Sequence, residues 1–122
     1  MATLNITVGE SPDVALQRAA QTMQAVMEGR EVAPYFGVGF KNMAQIGKVF
    51  TPKRWELVEV LKTSGPQSIY ALAKRLNRNY RNVHQDVVVL TDWLVIEKNE
   101  AGKIFVPWDE IDVQWPLQRL AA

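Results

Sequence analysis

Apolar positions repeat with two different periods along this chain, and the switches between them divide it into elements. Residues 3–8, Thr-Leu-Asn-Ile-Thr-Val, alternate, so Leu4, Ile6 and Val8 share one face of a strand. Ser11-Pro12-Asp13 is a helix start: a capping hydroxyl, a proline at the first helical position and an acid in the first turn. Leu16, Ala20, Met23 and Met27 form the apolar stripe of that helix, and Gly29 marks its end. Residues 32–40 predict a second strand, in which Phe36, Val38 and Phe40 alternate with Gly37 and Gly39, glycines that admit another backbone. A strand–helix–strand unit of this size buries too little alone, so it is expected to dock on the rest of the chain or on a second copy.

Residues 42–50 predict a short helix with Met43, Ile46 and Phe50 inward. Thr51-Pro52 opens the next helix, whose buried side is Trp55, Leu57, Val58 and Leu61, and Ser64-Gly65-Pro66 ends it. Ser68 can cap a third helix with Ile69, Leu72, Ala73 and Leu76 on one stripe. Asn77-Arg78-Asn79 interrupts the pattern, Asn79 can cap a fourth, and Val83, Val87 and Leu90 mark its core side. Two short helices joined by a tight polar turn, with the small Ala73 at their crossing, follow the grammar of a helix-turn-helix. Val95–Lys98 and Lys103–Val106 then read as a hairpin around Asn99-Glu100-Ala101-Gly102. Ile111, Val113, Trp115 and Leu117 alternate with polar residues and proline in a last strand-like arm.

The expected class is therefore α+β: a winged helix-turn-helix with an N-terminal strand–helix–strand extension and a C-terminal strand-like arm. The expected divisions are a dimerisation or partner element over 1–40, the DNA-binding domain over 41–107 and the arm over 108–122.

Charge sharpens this picture. The net charge is only +1, but Lys41 to Lys103 holds eleven Lys/Arg against six acids, while the flanks hold three against seven. The middle thus suits phosphate contact, and the acidic ends suit solubility or a protein partner. With 48% hydrophobic residues the chain is globular rather than disordered. It has no apolar run long enough to span a membrane and no signal-like N-terminus, so a cytoplasmic protein is expected.

Zero cysteines remove disulfides, thiolate metal sites and cysteine nucleophiles. The single histidine, His84, cannot assemble a metal site with Asp86 on one helical face. Gly37-Val38-Gly39 lacks the context of a phosphate loop. No cofactor, no metal and no catalysis are expected.

On a wheel at about 100° per residue, Arg81, Gln85 and Val88 point away from the Val83/Val87/Leu90 stripe, with Asn82 and His84 on the shoulders. Base edges are read near the N-terminus of such a helix, which favours Tyr80, Arg81, Asn82, His84 and Gln85. Arginine forks onto guanine, asparagine or glutamine onto adenine. Arg78 in the turn, with Lys74 and Arg75 before it and the helix ends at Ser68 and Asn79, is expected exposed and near backbone phosphates. Lys98 and Lys103 flank the hairpin turn as further backbone contacts, with Glu100 repelled at the tip. Val88 and Val89 leave the core stripe, so either the N-terminal unit or a partner chain is expected to cover them. For Trp108, Trp115 and Leu117, packing within the chain and contact in a dimer are both open.

Residues 51–106, with TPKRWELVEVLK, SIYALAKRLNRNYRNVHQDVVVL and LVIEKNEAGKIFV, resemble prokaryotic winged-helix transcriptional regulators of the broad MarR/ArsR type. The phrase YRNVHQDVVVLTDWLVI is similar to a small family of archaeal and bacterial winged-helix DNA-binding proteins. Members of that family also carry an N-terminal strand–helix–strand piece, and some resemble antitoxins or autoregulators of small operons. This chain departs from the commoner pattern at Trp93-Leu94, where such proteins often place a glycine before the wing strand. The expected function is a homodimeric DNA-binding regulator, a repressor or autoregulator, whose strand-rich ends pair two subunits, so that two-fold symmetry implies a pseudo-palindromic double-stranded operator. The alternative is an antitoxin or protein-interaction module whose winged helix or acidic arms cover a partner such as a toxin. A fold of this kind serves either role.

Overall fold

The computed structural model describes residues 2–32 and 35–117. Its elements run β1 (Thr3–Val8), α1 (Pro12–Met27), β2 (Phe36–Phe40), α2 (Met43–Val49), α3 (Pro52–Ser64), α4 (Ile69–Leu76), α5 (Tyr80–Asp92), β3 (Glu97–Lys98), β4 (Ile104–Phe105) and β5 (Glu110–Gln114). This is an α+β chain with five helices among the described residues.

Every helix start follows from its cap. Ser11, Asn42, Thr51, Ser68 and Asn79 hold extended backbones, and each side-chain oxygen accepts an amide of the first turn that would otherwise lack a partner. Pro12 and Pro52 occupy first-turn positions, where a missing N–H costs nothing.

Three strands form a parallel sheet in the order β2-β1-β5. Leu4 stands opposite Phe36 and Ile111, and Ile6 opposite Val38 and Val113. The C-terminal stretch is thus no separate arm. Its strand pairs with the first strand of the chain, and the two ends expected as distinct units share one sheet. Asp109 fixes the junction: its N–H donates to the Ala2 carbonyl at 2.8 Å, and its Oδ2 accepts the Ala2 N–H at 3.1 Å. That backbone donor, helped by nearby Lys62, holds the Asp109 carboxyl below its ordinary pKa.

One face of the sheet carries Leu4, Ile6 and Val8, all buried in the same cluster as Phe50, Leu61 and Leu90 from the helical half. A run of aromatic rings makes the joint. Trp93 after α5 stacks on Phe40 of β2 at 4.2 Å, Phe40 meets Phe50 edge-on at 5.8 Å, and Phe50 stacks on Trp55 of α3 at 4.4 Å. Trp108 is buried within the chain, lies 5.2 Å from Phe36 and donates its indole N–H to the Leu94 carbonyl at 2.8 Å. Trp115 and Leu117 are exposed.

Several expectations need correction. The apolar stripe of α1 faces solvent, and no residue of that helix is buried. The opening of Gly37 is filled by the Tyr35 ring rather than by a backbone, since a Cβ there would lie 2.7 Å from the ring. Ladder pairing in the hairpin covers only Glu97–Lys98 and Ile104–Phe105, because Val95 and Ile96 turn inward to the core before the strand begins. A bridge between Gln67 and Ile104 ties this hairpin to the α3–α4 connection. No helix among the described residues is long and apolar enough to cross a membrane.

Candidate nucleic-acid interface

Helix α5 is two-sided by sequence and by packing. Val83, Asp86, Val87 and Leu90 are buried, while Arg81, Asn82, His84, Gln85 and Val88 are exposed. Its start is set by the helix before it. α4 ends on Asn77, whose φ of 53° is the left-handed conformation that asparagine tolerates well. The N–H of Asn77 donates to Lys74 and that of Arg78 to Ala73, closing the helix and turning the chain sharply. Asn79 Oδ1 then accepts the Arg81 N–H at 2.8 Å.

Between α4 and the first turn of α5 lies a groove of about 550 Å³, lined by Tyr70, Ala73, Lys74, Asn77, Arg78, Asn79 and Tyr80. The Lys74 ammonium sits 4.9 Å from the centre of the Tyr70 ring, and the Tyr80 ring lies 5.9 Å from His84. The groove therefore has a cation, amide groups and two phenols at its rim. Lys98 and Lys103 are exposed on the β3–β4 hairpin, whose turn is held by Asn99 Oδ1 accepting the Lys103 N–H at 2.9 Å.

Not every expected residue stands at this surface. Arg75 lines a different groove with Glu59, Val60, Thr63 and Ser64, on the α3 side of α4. Ser68 spends its hydroxyl oxygen on the Ala71 N–H, capping α4. Arg78 is the clearest correction. Its Nη2 donates to Asp86 Oδ2 at 2.7 Å, and the side chain keeps only 20% of its exposure.

Asp86 is the residue that sequence reasoning passed over. It occupies a core position between Val83 and Val87, where an ionised carboxylate requires partners. Arg54 supplies the second: Nε donates to Asp86 Oδ1 at 3.0 Å, and Nη1 donates to the carbonyls of Lys48 and Val49. One carboxylate thus ties α3, the α4–α5 turn and α5 together, and Arg54 extends the tie to the end of α2. An acid on an apolar stripe was the signal available. Neither the N-terminal unit nor any other described element covers Val88, which is 46% exposed, while Val89 is half-buried.

Among the described residues no group of acids and histidine could hold a metal ion. The family model HVO_A0114 matches residues 49–113, a span that takes in α3, α4, α5, the hairpin and most of β5. This chain belongs to the HVO_A0114 family. The matched span contains Arg54, Arg78 and Asp86, and all of the exposed α5 side chains, so the family region holds both the network and the surface it supports. No curated protein and no solved structure shows a significant match to the chain.

Proposed function

We propose that this protein is a sequence-specific, double-stranded DNA-binding transcriptional regulator whose residues 51–106 act as a winged helix, with α5 as recognition helix and the β3–β4 hairpin as wing. The observation that carries this reading is the segregation on α5. Arg81, Asn82, His84 and Gln85 are all exposed within its first two turns, next to the Lys74 groove, while its other side is anchored in the core.

Those are the side-chain types that read base edges in a major groove: arginine for guanine O6/N7, amides for adenine N6/N7. Val88 continues the line one turn on and suits a thymine methyl. Lys74, the Tyr70 and Tyr80 hydroxyls, Lys98 and Lys103 take backbone phosphates, which fix register without reading sequence. Repression, or autoregulation of its own operon, is the mode we attach to this reading.

The test is binding to operators selected from a random DNA pool. Affinity should fall with salt at a log–log slope of about −0.9 for each phosphate neutralised. Arg81→Ala should cost about 1–3 kcal/mol on the selected site and relax preference at one base. A slope near zero between low and physiological salt would refute DNA binding. An equal loss on selected and scrambled sites would reduce Arg81 to a phosphate contact.

A further inference from the structure

Helix α1 is built the wrong way round for a helix that serves only this chain. It is a 16-residue helix with no buried residue. Its least exposed residues are Arg18, bonded to Glu10 at 2.9 Å and lying 4.7 Å over the Tyr35 ring, and the half-buried Ala25. At about 100° per residue, Arg18 and Ala25 point one way, and Leu16, Ala20, Met23 and Met27 point the opposite way. Leu16 is 68% exposed, Met23 67% and Met27 82%. An amphipathic helix ordinarily turns such a stripe inward.

We infer that this stripe is the contact through which two copies of the chain pair, α1 against α1. Three observations select a second copy over other occupants. The spacing 16-20-23-27 is four, three, four, the 3.5-residue period by which helices pack along one another as knobs into holes. Beside the stripe runs a groove of about 540 Å³ lined by Ala15, Ala19, Met23, Val26 and Tyr35, with Arg18 and Thr22 at its edge. One surface thus offers both protruding side chains and the hole to receive them, as a two-fold contact requires. The alanines let axes approach to about 8 Å.

Charge is the third observation. From Thr22 round through Met23 to Ala20 the helix surface is uncharged, so nothing on it selects an acidic or basic partner. A membrane-seeking helix carries lysine and arginine on its polar face. α1 has no lysine, and its one arginine is paired with Glu10.

Area sets the strength. A 16-residue helix is a rod about 24 Å long and about 10 Å across, half of whose envelope is on the order of 400 Å². A stable interface takes about 800 Å² from each partner. The groove wall, with Tyr35 48% exposed, extends the apolar surface toward that value without exceeding it. The pair should therefore be a reversible rather than a permanent dimer. α1 and its groove share no residue with the exposed side of α5, so the inference stands or falls apart from DNA binding.

Sedimentation equilibrium of the full chain, from low to high micromolar, should show a monomer–dimer equilibrium. The double variant Leu16→Glu/Met23→Glu should stay monomeric over that range. Its melting temperature should match wild type extrapolated to low concentration, because neither side chain is buried. The chain has no cysteine, so single cysteines report position. Under a mild thiol oxidant, Ala20→Cys on the stripe should give covalent dimer, and Gln21→Cys on the far side should not. A wild-type chain that stays monomeric overturns the inference and leaves the stripe to another protein or, if it floats with vesicles, to lipid. A dimer insensitive to the two glutamates, or one linked equally well through position 21, also overturns it.

Discussion

Asp86 shows how a single residue can decide the geometry of a surface it never reaches. The Arg54, Arg78 and Asp86 side chains keep 15%, 20% and 12% of their exposure, so water does little to screen or replace their bonds. Removing one partner of such a network strands the others' charge in a poorly solvated place, which is worse than never having placed it there. Asp86→Ala should therefore destabilise by about 3 kcal/mol, read as a lower urea midpoint at constant slope. Arg78→Ala should cost less, because Arg54 still meets the carboxylate, but clearly more than the few tenths of an exposed ion pair. A change under about 0.5 kcal/mol for Arg78→Ala would return that residue to the exposed, phosphate-facing role its position in the turn suggested. The sequence contained the clue in part. An aspartate on the Val83/Val87/Leu90 stripe announces that partners exist, but only the fold names Arg54, distant in sequence, as one of them.

Helix ends show the same division between what a sequence states and what packing adds. α1, α4 and α5 all finish with the six-to-one and five-to-two backbone bonds of a Schellman turn, around Gly29, Asn77 and Leu94. Glycine and asparagine at the first two are legible as stop signals. Leu94 is not, yet it takes a φ of 67°, a strained backbone for a side chain with a Cβ. The turn closes here because Val95, next in the chain, is fully buried and the Val95 N–H donates to the Leu90 carbonyl at 2.9 Å. Leu94 itself is 52% exposed, so its side chain has little burial to lose. Leu94→Gly should leave stability unchanged or raise it by up to about 1 kcal/mol, whereas Leu94→Val should lower it by about as much. Urea unfolding of the two variants checks this, and a loss with glycine would mean that the leucine side chain matters more than its backbone. Inward-turning Val95 and Ile96 also explain why the run 95–98 reads as a longer strand than the ladder contains.

At the scale of the whole molecule, period and caps located the helices and strands, but nothing local could say which strands pair. β1 lies between a strand that follows one helix later and a strand at the far end of the chain, and alternation of Leu4, Ile6 and Val8 is equally compatible with a self-contained N-terminal unit. The consequence is a single core. Leu4 and Ile6 are fully buried and Val8 is 1% exposed, in one cluster with Phe50, Leu61 and Leu90, and Phe40 carries the aromatic contacts to Trp93 and Phe50. Burying an aliphatic side chain contributes about 1.5–3 kcal/mol, so β1 alone contributes on the order of 5–9 kcal/mol. That is comparable to the whole net stability of an ordinary domain. A chain trimmed to residues 41–107 retains every residue proposed to touch DNA, yet it should not melt cooperatively. It should lose most of the near-UV circular dichroism that fixed tryptophans give, and expose surface that binds a hydrophobic dye. Its DNA affinity should fall for that reason, even for a single half-site where dimer formation cannot contribute. If the trimmed chain instead melts in one transition within a few degrees of the full chain, the helices and hairpin are self-sufficient. The sheet would then be a detachable platform rather than half of the core. Half-site binding separates the two outcomes, since a folded trimmed chain would keep full affinity there and lose it only on a paired operator.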